Sequence, residues 1–63
     1  MTQKELLYIE DAIGHEQNII TICEETINML EDSNLISFLS KEIKKHENMK
    51  EELLNMIEVK MNE

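Results

Sequence analysis

The sequence contains no proline, one glycine and one cysteine, and its only aromatic residues are Tyr8 and Phe38. Little in it breaks a helix, and the dominance of Glu, Lys, Leu, Ile, Met and Asn reads as long helix rather than sheet. A single cysteine, Cys23, excludes a disulfide within the chain. A lone thiol suits a reducing compartment. No apolar run approaches the roughly 20 residues of a membrane span. The first residues, "MTQKELLYIED", lack the apolar core and small-residue cleavage site of a signal peptide. A cytoplasmic protein with no membrane partner is expected.

Sixty-three residues form one small domain. A chain of this size buries only about 60% of the surface its unfolded form exposes, so a lone core is marginal. Small domains make up the deficit with disulfides, a metal or partner subunits. With disulfides excluded, oligomerisation and metal remain.

Positive charge is also scarce. The formal net charge is −8, and residues 1–32 carry Lys4 alone against eight acids, whereas residues 33–63 carry five lysines against six. An acidic surface repels phosphate backbones and anionic lipid, so nucleic-acid and membrane-surface partners are not expected. The simplest consequence of this charge is solubility.

What is present is helical periodicity. "TQKE" at 2–5 is a capping box, with Thr2 accepting from the Glu5 amide and Glu5 reaching back. Apolar residues then recur at helical spacing through Leu30. One core column is Ile9, Glu16, Cys23 and Leu30; a second is Ala12, Ile19 and Thr26; a third is Leu6, Ile13, Ile20 and Ile27. "EDSN" at 31–34 interrupts the pattern, with Asp32 or Ser33 suited to an N-cap and Asn34 to a turn. The following columns are Leu39/His46/Leu53, Leu35/Glu42/Met49/Met56 and Ile36/Ile43/Lys50/Ile57.

These signals predict one all-α domain over 1–63, with a helix at 3–31, a turn at 32–34 and a helix at 35–60 that loses its pattern and frays after Ile57. Helices of about 28 residues are roughly 42 Å long. Joined by a short turn, they make an antiparallel hairpin. Three apolar columns per helix are more than a two-helix seam requires. Two hairpins back to back would bury the surplus, so a homodimer forming a four-helix bundle is expected.

Two polar residues interrupt the core columns: Glu16 among Ile9, Ile13, Ile19, Ile20 and Cys23, and His46 among Leu39, Ile43, Met49 and Leu53. A buried carboxylate or imidazole must be paired, hydrogen-bonded or metal-bound. Both lie near the midpoints of their helices, so a two-fold axis there would gather two Glu16 and two His46 at the bundle centre. A turn near residue 33, however, sets Lys50 opposite Glu16. A structural Glu16–Lys50 pair with His46 hydrogen-bonded nearby explains the pattern without a ligand, and such groups also fix register. Under the metal reading, the candidate ligands are Glu16, His46 and Glu42, with iron, manganese or zinc as the ion. Glu42 lies one turn before His46 and is equally placed to pair with Lys41 or Lys45.

Other residues have plainer readings. His15 borders Glu16 on the helix edge and is expected to be exposed. Gly14 falls on the outer face, at about 1 kcal/mol relative to Ala. Cys23 reads as a small core residue, with no adjacent histidine or basic cluster to mark a nucleophile. The methionines at 29, 49, 56 and 61 read as core filler.

The segments "KELLYIEDAIGHE" at 4–16, Asp32 opening the second helix, and "KH" at 45–46 ahead of an amphipathic tail resemble the small spore-coat protein F-like family of spore-forming Firmicutes. The similarity covers nearly the whole chain and is most specific at Tyr8, Glu10, Asp11 and Glu16. It implies half of a ferritin-like bundle, a spore-coat or sporulation-linked role with no established reaction, and other coat proteins as partners. Ferritin-like sites take a Glu from one helix and Glu-x-x-His from the next. Glu16 matches the first position, but Glu42 precedes His46 by four residues and Met49 lies three beyond it, so a di-iron centre of that kind is not implied.

Three functions follow. The leading one is a structural or assembly protein resembling spore-coat components, with no enzymatic activity indicated. The second is a metal-binding ferritin-like protein with its site at the bundle centre. The third is a regulatory hairpin docking on a signalling protein. Small sporulation phosphatases share that shape, but their Ser-Gln-Glu-Leu-Asp run is absent.

Overall fold

A computed structural model describes residues 1–61 of the chain. Its two helices, α1 (Gln3–Ile27) and α2 (Ser33–Met61), pack against each other as an antiparallel hairpin. Residues 62 and 63 of the expected domain, and the Met61 side chain expected in the core, lie outside what is described. Among the described residues there is no strand, and no helix is long and apolar enough to cross a membrane.

The start of α1 follows its local chemistry. Thr2 Oγ1 accepts from the Glu5 amide at 3.1 Å, and Glu5 Oε1 accepts from the Thr2 amide at 2.8 Å. This reciprocal pair satisfies two backbone donors that an open helix end would leave free.

The turn departs from the sequence expectation. α1 stops at Ile27 instead of reaching residue 31, and α2 begins at Ser33 instead of residue 35. The amides of Met29 and Leu30 bond three residues back, to the carbonyls of Thr26 (3.0 Å) and Ile27 (3.2 Å). Such bonds tighten the last turn and end the four-residue ladder. Asp32 is the cap of α2: its Oδ1 accepts from the amides of Asn34 (2.8 Å) and Leu35 (3.0 Å). At its far end α2 continues to Met61 rather than fraying after Ile57.

Two columns from each helix form the seam. Leu6, Ile13, Ile20 and Ile27, with Ile9, Glu16, Cys23 and Leu30, face Leu39, His46 and Leu53, with Ile36, Ile43, Lys50 and Ile57; all are at least half-buried. Among the described residues only Ile20 is fully buried, at 5% exposure.

The third columns are only partly covered, with Ala12, Thr26 and Glu42 half-buried. Ile19 on α1 is exposed, as are Leu35, Met49 and Met56 on α2. The core-filler reading of Met29, Met49 and Met56 therefore fails within one hairpin. Met29 lies in the turn, and the other two belong to a column that α1 covers only in part, Met56 sharing a pocket with Met1, Glu5 and Ile9.

Both open columns lie on the same side. In each helix the open column precedes a seam column by four residues, as Ile19 precedes Cys23 and Glu42 precedes His46. Four residues are about 40° more than a full turn, so the rotation away from the seam has the same sense in both helices. For antiparallel neighbours, equal rotations turn both columns to one face of the hairpin. The result is a slab with Cα extents of 47 × 15 × 11 Å, one helix thick, with an apolar broad face.

Candidate functional site

The polar interruptions of the seam meet each other. His46 is hydrogen-bonded through Nδ1 to Glu16 Oε2 across the two helices. A carboxylate only accepts, so Nδ1 carries the hydrogen and donates it. Their side chains are 16% and 13% exposed. On the other edge of the ring, Nε2 lies 3.7 Å from Glu42 Oε2, one turn earlier on α2. Glu42 is more open, with 33% of its side chain exposed. The structure thus brings the three candidate residues Glu16, His46 and Glu42 together around one imidazole.

The pairing of Glu16 with Lys50, inferred from a turn near residue 33, is not what the hairpin adopts. Lys50 Nζ donates to Gln17 Oε1 at 2.6 Å, on the opposite edge of the seam. The cause is the earlier end of α1. With the turn centred nearer residue 30, the residue facing Glu16 moves back along α2 from Lys50 to His46. Lys50 keeps its half-buried stem in the seam and carries its ammonium outward to a neutral amide, as long cationic side chains do. Nothing in the sequence marks Gln17, because an amide beside a seam column has no distinguishing spacing.

The remaining residues stay apart from this cluster. His15 is exposed on α1. Cys23 is a half-buried free thiol one column step beyond Glu16. A Cβ built on Gly14 would meet nothing within 4 Å, in keeping with its outer position.

Chemically, the cluster holds one imidazole in one orientation between two carboxylates. The Nδ1 edge is engaged by the Glu16 carboxylate, and the Nε2 edge faces the Glu42 carboxylate. Among the described residues no group of three or more His, Cys, Asp or Glu is arranged to hold a metal ion. A groove of about 460 Å³ on the opposite edge is lined by Gln17, Glu24, Glu47, Lys50 and Glu51 together with Ile20 and Leu54, and does not include the imidazole.

Comparison with known protein families, with characterised proteins and with solved structures finds no match, so the likeness to spore-coat proteins rests on the residues quoted above.

Proposed function

We propose that this chain is a structural, self-assembling helical module, two copies of which close into a four-helix bundle through their apolar faces. A role in coat assembly, of the kind its residues resemble, is part of this reading. The observation that carries it is the alignment of the two open columns on one broad face, with Ile19, Leu35, Met49 and Met56 all exposed.

The surface area supports it. The chain exposes 5077 Å². A compact monomer of 7.5 kDa would expose roughly 4,200 Å², from the scaling of accessible area with mass. The excess of roughly 800 Å² matches the area per partner of a standard protein interface. A two-fold dimer is the commonest closed way to cover one self-complementary patch.

The test compares faces. Met49→Lys places a charge in the open column, whereas Leu54→Lys places it on the groove side. Sedimentation velocity is expected to show monomer for Met49→Lys and dimer for Leu54→Lys. Equal behaviour of the two variants would refute this face as the interface.

A further inference from the structure

The imidazole of His46 has two edges, and the chain treats them differently. Nδ1 is engaged by Glu16 Oε2, whereas Nε2 makes no hydrogen bond among the described residues. What faces Nε2 is a carboxylate oxygen of Glu42 at 3.7 Å, too far for a hydrogen bond. Two ligands on a tetrahedral cation with bonds of about 2.0–2.1 Å stand about 3.3 Å apart. The Nε2–Oε2 separation is thus close to the bite of such an ion. Glu42 belongs to the open column, so this pair borders the apolar face.

We propose that His46 Nε2 and a Glu42 carboxylate oxygen form half of a divalent-cation site, completed by the same two atoms of a second copy, and that Glu16 is a positioning residue rather than a ligand. This rests on the self-assembly reading above. Two imidazole nitrogens and two carboxylate oxygens make a four-coordinate set of the kind that zinc accepts. Glu16 supplies the outer partner that metal-bound histidines require on their second nitrogen, fixing the tautomer and the ring orientation. The acidity of the chain adds a favourable field for a cation.

The probe is Co²⁺, whose tetrahedral complexes absorb strongly in the visible. The full chain, freed of metal by chelator, is titrated with Co²⁺ while absorbance and molar mass are followed. The expected result is saturation at one ion per two chains, with a tetrahedral spectrum. Glu42→Gln is expected to lose saturable binding, and His15→Gln to keep it. Glu16→Gln, whose side-chain carbonyl still accepts from Nδ1, is expected to keep the stoichiometry and spectrum while binding about 10–100-fold more weakly. Absence of saturable binding, one ion per chain, or wild-type binding by Glu42→Gln would overturn the proposal. So would loss of the tetrahedral spectrum in Glu16→Gln, which would make Glu16 a direct ligand. A metal-free dimer that takes up no cobalt overturns this site and leaves self-assembly standing; a chain that stays monomeric with and without cobalt overturns both.

Discussion

Glu16 and His46, thirty residues apart in the chain, are joined across the helical seam by a hydrogen bond from Nδ1 to Oε2. Both side chains are mostly shielded, so each satisfies a polar group that the other's removal would strand. Stranding a shielded partner costs about 1–3 kcal/mol, whereas replacing both with apolar side chains avoids that penalty. Glu16→Leu and His46→Leu are therefore each expected to lower stability by about that amount. The double variant should lose less than the sum. Thermal melts in chelator, which remove any contribution from metal, measure the difference; additivity within about 0.5 kcal/mol would mean that the two side chains act independently.

Lys50 provides the matching test of register. Its ammonium reaches the amide of Gln17 at the exposed edge, so Lys50→Met is expected to change stability by less than about 1 kcal/mol. Were Lys50 the partner of Glu16, the same substitution would strand a shielded carboxylate. A loss well above that value on melting would contradict the observed register.

The contrast between these two residues shows what could be read before the structure. The columns placed Glu16, His46 and Lys50 in the seam, and all three are there. Which of the two partners meets Glu16 depends on how many residues the turn consumes. That was hidden, because the pattern of apolar residues runs on through Leu30 while the backbone ladder ends at Ile27. Asp32 and Ser33 are both ordinary caps, and only the geometry selects Asp32. The width of the apolar stripe was legible in the same way. Which column is left over was only partly legible: Ala12, Ile19 and Thr26 are less apolar than Leu6, Ile13, Ile20 and Ile27, but on α2 each column carries one polar residue, Glu42, His46 or Lys50.

The cap itself is open to measurement. Asp32 Oδ1 accepts two amide hydrogen bonds at the start of α2. Asp32→Ala is expected to cost about 1 kcal/mol, and Asp32→Asn to restore most of it, because both Asp and Asn cap well. Equal stability of the alanine and asparagine variants would deny the cap its role.

Gly14 sits mid-helix in α1, has no positive φ and faces open space. Gly14→Ala is expected to stabilise the protein by about 0.5–1 kcal/mol, since alanine loses less backbone freedom on folding. For a domain of this size each kcal/mol raises Tm by about 4–8 °C. A lowered Tm would place a second helix against Gly14, on the side away from the open apolar columns.

The proposed dimer covers the face carrying Ile19, Leu35, Met49 and Met56 with a second copy of the chain. Sedimentation equilibrium of the unmodified protein at micromolar concentration, in chelator, tests it most directly. The account predicts a molar mass twice the 7.5 kDa of one chain, with helical circular dichroism retained. A stable, folded species at 7.5 kDa would contradict it.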